Sequence, residues 1–322
     1  MAEEVLEAPK KAISKGKKNI ERRDRAEINK KFIEDYNFKK SETDILNALY
    51  RLRAMRISDL ANLTGGHLNW VRQVVRDMHY NRLIERKFYY EEKIERNFKG
   101  SSEGILFLDE GGVMALQALY ELEKSEINWE KKDNQLIHLK VKHLLETSKI
   151  IAKLTSSIVE EGGEVLDFFG EKHLKIKYRW NEKVYEFCPD AYIKVRFKKG
   201  NEEKIHQYFI ENDTGGMTIP RFLNTKIKKY EDYFISRAYL ERYETYPTII
   251  VVTSNIKRVT ELATGTLEKT KPSARSINWI FTTNGKFHSN PLADDTFVHT
   301  SSMELKKFFS LKDFEDVNIR VN

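Results

Sequence analysis

Residues 188–213, CPDAYIKVRFKKGNEEKIHQYFIEND, hold the reading on which the fold turns. Branched and aromatic residues fill 184–198 and 203–212, so both stretches are read as strands. Between them Lys199-Gly200-Asn201-Glu202 forms a two-residue loop of the glycine-containing kind that closes a tight hairpin. Loop length sets the register. With Lys199 facing Glu202, Asp190 lies directly opposite Glu211, and their side chains share one face of the sheet. Asp213, two residues beyond Glu211, projects to that face as well. Three carboxylates thus converge near one sheet end, and their repulsion calls for a hard divalent cation or a proton. The open alternative is a β-bulge that breaks the register and leaves one acid capping a turn.

Downstream, Thr214-Gly215-Gly216 reads as a loop, and Pro220 starts a helix to about 244 that carries Arg221, Lys226, Lys228, Lys229, Tyr230 and Tyr233. A cationic helix beside an acidic cluster suits a phosphodiester site, with carboxylates for the metal and lysine for the phosphate charge. The plain alternative is a solvated face packing through Ile227, Tyr230 and Phe234. Further strands are expected at 165–169, 174–180, 248–253 and 277–283, and helices at 137–160, 256–268 and 303–309. Strand–helix alternation makes 131–322 an α/β domain with a mixed sheet.

Upstream, apolar spacing marks three short helices, at 42–54 behind the cap Ser41, at 57–63 with the cap candidate Ser58, and at 69–81. The second stops at Thr64-Gly65-Gly66, as a helix-turn-helix does. The third buries Val71, Val74, Val75 and Met78 and leaves His67, Asn69, Arg72, Gln73, Arg76 and Tyr80 on the surface, a set suited to a major groove. Strands at 83–90 and 105–108 around a charged turn form a hairpin wing bearing Arg86 and Lys87, and a helix at 113–122 closes the unit. Residues 37–130 therefore read as an α+β winged-helix domain for double-stranded DNA, the other use of such a unit being protein–protein contact.

Charge agrees with this division. The 322 residues carry 56 Lys and Arg against 49 Asp and Glu, a net +7. Ten basic and three acidic residues in 10–31 suggest that 1–36 is a disordered basic arm, either a solvating tail or a segment lying on a phosphate backbone. Residues 51–87 hold a local +5 and 101–136 a local −5, which places the boundary near 130. One cysteine, Cys188, excludes an internal disulfide, and no window approaches the ~20 apolar residues of a membrane span. A cytoplasmic protein is expected, with no membrane partner. The eight histidines show no tight metal-binding spacing, there is no G-x-S-x-G elbow, and Cys188 precedes a proline; Tyr230 and Tyr233 stay open as nucleophiles.

With Pro189-Asp190 followed by Glu211-Asn212-Asp213, the second domain resembles the PD-(D/E)xK nuclease fold. From about 40 to 300, the winged helix, the His138-Leu139 helix, Pro189-Asp190-Ala191, the run Phe209 to Gly215, and Lys226-Ile227 with Tyr230 and Tyr233 look like the replication-relaxation family of plasmids and mobile elements of Gram-positive bacteria. The resemblance implies DNA binding linked to plasmid replication or to relaxation of DNA for transfer. Asp213 stands where the nuclease motif has lysine, so Lys226 is the candidate replacement; without it the site binds and does not cut. The expected catalytic set is Asp190, Glu211, Asp213 and Lys226, with the three acids holding Mg or Mn in a metal-dependent endonuclease or nickase. The expected DNA contacts are His67, Asn69, Arg72, Gln73, Arg76, Arg86 and Lys87. A homo-oligomer is compatible with these features. The competing reading is a non-catalytic transcriptional or copy-number regulator whose second domain binds a ligand or dimerises.

Overall fold

The computed structural model describes residues 22–88, 103–199, 202–300, 308–309 and 311. Its first part runs α1 (Lys30–Asp35), α2 (Lys40–Leu52), β1 (Met55–Arg56), α3 (Ile57–Thr64), α4 (Leu68–Tyr80), β2 (Ile84–Lys87), β3 (Ile105–Leu108) and α5 (Glu110–Tyr120). The three strands form one antiparallel sheet in the order β1-β3-β2, with Ile84 opposite Leu108. Gly65 ends α3 at φ +65, a conformation that glycine adopts without a Cβ clash. Along α4, Val71, Val75 and Met78 are buried while Asn69, Arg72, Gln73 and Arg76 are exposed, the 3.6-residue period of an amphipathic helix. Two expected caps differ. Glu42 accepts the Lys39 N–H at 2.9 Å and starts α2 ahead of Ser41, and Ser58 is already inside α3, donating through its N–H and hydroxyl to Glu103. The charged turn expected after 90 lies mostly outside the described residues.

The segment expected to be a disordered arm is packed from Arg22 onward; residues 1–21 lie outside the described residues. Arg22 pairs with Asp109 at 2.6 Å and donates to the carbonyls of His79 and Ile84. Arg23 stands over the Phe32 ring, and Ile33 on α1 is buried. A guanidinium that replaces its water with three protein acceptors is structural, which net charge alone does not reveal.

The second part begins with α6 (His138–Glu160) and continues through β4 (Glu164–Gly170), β5 (Ile176–Trp180), β6 (Lys183–Phe187), β7 (Ala191–Lys199) and β8 (Glu202–Asp213). A bent helix follows, made of α7 (Ile219–Phe222), a π-turn (Leu223–Ile227) and α8 (Lys228–Ile235). Then come β9 (Thr248–Thr253), α9 (Ile256–Lys269), β10 (Trp279–Thr283), α10 (Asn284–Ser289), β11 (Phe297–His299) and β12 (Phe308–Phe309). Seven strands form a mixed sheet in the order β12-β11-β10-β9-β8-β7-β4, with β8, β9 and β10 parallel to one another; β5 and β6 form a separate ribbon. The fold is thus α+β with a mixed sheet and several helices. The helix expected to run to 244 stops at Ile235, where Arg237 turns to φ +59. The strand expected over 184–198 is cut at Cys188–Asp190, because Pro189 offers no N–H to a ladder. Phe308–Phe309 pairs as a strand with β11 where a helix was expected, the start of that stretch lying outside the described residues.

The sheet separates two apolar layers. Along β8, Tyr208 and Ile210 face α6, whereas Phe209 faces an aromatic layer with Phe187, Tyr230, Tyr233 and Trp279. The α6 layer is continuous with the first part, joining Leu49, Met55 and Leu60 to Ile151, Leu154 and Ile193. Polar contacts cross the same junction. Arg51 pairs with Asp167, Arg53 with Asp133 at 3.4 Å and Glu171 at 3.7 Å, Arg56 with Glu146 at 3.6 Å, and Ser148 donates to the Ala54 carbonyl at 2.7 Å. Much of the local +5 of residues 51–87 is therefore spent inside the protein. Among the described residues no helix is long and apolar enough to cross a membrane.

Candidate active site

The hairpin register places the first two carboxylates. Every pair from Lys199 opposite Glu202 to Ala191 opposite Ile210 is in register, so Glu211 extends β8 just beyond the start of β7. Asp190 precedes β7, and its Oδ2 accepts the Asn212 N–H at 2.9 Å, the side chain continuing the ladder that Pro189 interrupts. Lys226, at the end of the π-turn, donates to Glu211 Oε2 at 2.6 Å and lies 3.5 Å from Asp190 Oδ1. The extra residue in a π-turn rotates the side chains that follow it, and such turns recur at functional sites. On the α6 side, His143 Nε2 is 3.4 Å from Asp190 Oδ1. Tyr230 donates to Glu211 Oε1 at 2.7 Å.

Burial shapes the charge at this point. Glu211 is 2% exposed; burial and the neighbouring Asp190 charge push its carboxyl up to about 7 despite Lys226 and Tyr230. Burial would raise Asp190 too, but Lys226, His143 and the Asn212 N–H outweigh it and hold Asp190 below the usual carboxylate range. Lys226 is raised by its two carboxylates against its own burial, and stays charged. Since Glu211 binds its proton more tightly folded than unfolded, the folded state carries more protons between its ordinary 4.5 and about 7. We therefore expect stability to fall as pH rises through that window, and Glu211→Gln to flatten the profile measured by urea denaturation at a series of pH values. An unchanged slope would show that Glu211 does not titrate there.

The third carboxylate has a different partner. Asp213 shares the Glu211 face, but its oxygens accept from Arg258 Nη2 at 2.8 Å, from Arg258 Nε, and from the Thr253 hydroxyl at 2.8 Å. Arg258, in the first turn of α9, also holds the Met217 carbonyl at 2.5 Å and so ties down the loop after β8. Gly215 in that loop has φ +83 and donates to Asp213 Oδ1. The repulsion expected among the three acids is thus relieved by Lys226 and Arg258. His143, Asp190, Glu211, Asp213, Arg221 and Lys226 all line an open cavity of about 310 Å³.

Sequence reading missed His143 and Arg258. His143 is a half-buried residue of α6 with no local signal in the sequence, and Arg258 is an ordinary first-turn residue until α9 docks beside β8. The candidate nucleophiles belong to the core: Tyr230 is 1% exposed with its hydroxyl driven far above the usual range by burial and Glu211, and Tyr233 is buried and stacked on Phe187. Burial pushes the Cys188 thiol up to about 11, and it donates to the Glu171 carbonyl.

The expected DNA-contacting residues divide. Asn69, Arg72, Gln73 and Arg76 form an exposed polar strip on α4, with Arg72 donating to Asn69 at 3.2 Å and Trp70, 47% exposed, beside them. His67 caps α4, its Nδ1 accepting the Asn69 N–H. Arg86 is exposed beside Phe88. Lys87 instead turns inward, donating to the Asn134 carbonyl at 2.5 Å over the Phe107 ring.

A family model described as replication-relaxation matches residues 46–249, more than half of the chain, from within α2 to the start of β9. No curated protein and no solved structure matches the chain.

Proposed function

The chain belongs to the replication-relaxation family, and from that premise we propose that it binds double-stranded DNA through α4 and handles a phosphodiester at Asp190, Glu211 and Lys226. Family membership supports a role in replication or relaxation of plasmid or mobile-element DNA. In this reading residues 37–130 are a winged helix, with α4 in the major groove and β2–β3 as the wing, and 131–322 are a PD-(D/E)xK-like domain. The observation that carries the chemical half is Lys226, which reaches both carboxylates from the helix after β8 and so supplies the cation that Asp213 cannot.

A hard divalent ion, magnesium or manganese, fits the donor set, because Asp190 and Glu211 turn oxygens to one point on the cavity wall, at which the Lys226 ammonium now sits. Asp213 does not fit that role while Arg258 and Thr253 hold it. When bound, the ion would polarise a phosphate oxygen and acidify a water. The protein's own part is then specific. Asp190 and Glu211 orient the ion, Tyr230 fixes the Glu211 rotamer, and Lys226 neutralises charge that builds on the phosphate.

Wild type is expected to nick supercoiled DNA carrying its own binding site when magnesium or manganese is present, and Asp190→Ala and Lys226→Ala are expected not to. Equal inertness of all three, with no stabilisation by metal, would leave the regulator reading in place. It draws on the internal neutralisation of every carboxylate of the cluster.

For the DNA-binding half, Arg72→Ala and Arg76→Ala should each cost about 1–3 kcal/mol against the preferred site if the side chain reads a base. Competition between specific and random duplexes measures it. Unchanged preference in the double variant removes α4 from the groove.

A further inference from the structure

We propose that His143, Glu171 and Asp190 bind Zn2+, a divalent cation of borderline softness, on the α6 side of Asp190, whose Oδ1 lies 3.4 Å from His143 Nε2 and 3.5 Å from the Lys226 ammonium. One ligand atom from each of the three lies within 4.8 Å of the other two. They come from separate elements: His143 from α6, Glu171 from the 3-10 turn Glu171–His173 that follows β4, and Asp190 from the entry to β7. Zinc–nitrogen and zinc–oxygen bonds of about 2.0–2.2 Å put tetrahedral ligands roughly 3.4 Å apart, so modest side-chain rotation closes the set.

A second observation points to a missing ligand on the same wall. Asn212, 4% exposed and lining the cavity with His143 and Asp190, gives its Nδ2 to the His143 carbonyl and the Thr147 hydroxyl, but its buried Oδ1 has no partner. A buried amide oxygen without a donor is costly, and a cation or its water would satisfy it. Glu171 now pairs with Lys140 at 2.5 Å and Arg53 at 3.7 Å. The Lys140 side chain is 37% exposed, so it can return to water when a divalent ion takes Glu171. The imidazole nitrogen selects zinc over magnesium, calcium and manganese. The site shares Asp190 with the proposed phosphodiester site, yet it is read by binding alone and does not rest on DNA cleavage.

Calorimetric titration of the full chain with ZnCl2 is expected to show one site, weakened by about tenfold or more in His143→Gln and in Glu171→Gln. Glu211→Gln should retain it. Histidine labelled with 15N in the wild-type protein reports the ligand without relying on a variant's folding: one imidazole should change to a metal-bound signal on adding zinc, and His143→Gln should identify it. No zinc binding at millimolar concentration would overturn the proposal. So would binding that Glu211→Gln abolishes while all eight histidine signals of the wild type stay unmoved.

Discussion

Replacing Lys226 by methionine will destabilise the protein by about 3–5 kcal/mol, the loss typical when one partner of a buried ion pair is removed and the other charge stays behind. Two charges stay behind here. Lys226 separates Glu211, 2% exposed, from Asp190, whose side chain is 14% exposed. Methionine keeps the length and apolar stem of lysine, so the experiment removes charge more than volume. The effect should depend on pH in a definite sense. Below about 7 Glu211 is mostly protonated and the repulsion is relieved, so the loss should be smaller at pH 5 than at pH 8. Chemical denaturation at the two pH values measures it. A loss below about 1 kcal/mol, flat with pH, would mean that water screens the cluster as it screens surface pairs.

The second large effect lies at Arg258. Arg258→Met will cost about 3–5 kcal/mol, because the Asp213 side chain is 3% exposed and would keep only the Thr253 hydroxyl and the Gly215 N–H. It also frees the Met217 carbonyl and so loosens the loop along the cavity. Combining Arg258→Met with Asp213→Asn should recover part of the loss, since the neutral pair leaves no buried charge, with a coupling energy of about 1–3 kcal/mol in the double-mutant cycle. Arg258→Lys should recover little, since an ammonium cannot grip two carboxylate oxygens and a carbonyl as the fork does. Additive losses would show that Asp213 does not depend on Arg258 and is available as a ligand.

What the sequence determined by itself is what local geometry controls. The two-residue loop sets the β7–β8 register, and with it the approach of Asp190 to Glu211. Apolar spacing set the buried stripe of α4, and with it which polar residues face water. Lys226 was also within reach of sequence reading, because a helix starting at Pro220 just after β8 folds back over that strand's end. Only the tertiary structure decided which charge meets which. Asp213 has the same side-chain direction as Glu211, yet it is bound by a residue 45 positions further on, which reaches it only because α9 follows the parallel strand β9. Arg22, Arg51, Arg53, Arg56 and Lys87 counted toward a DNA-facing field and proved to hold the protein together. A charge count carries a sign but no direction. A long basic side chain points wherever its stem packs and its head finds acceptors, and those surfaces exist only after elements distant in sequence have docked.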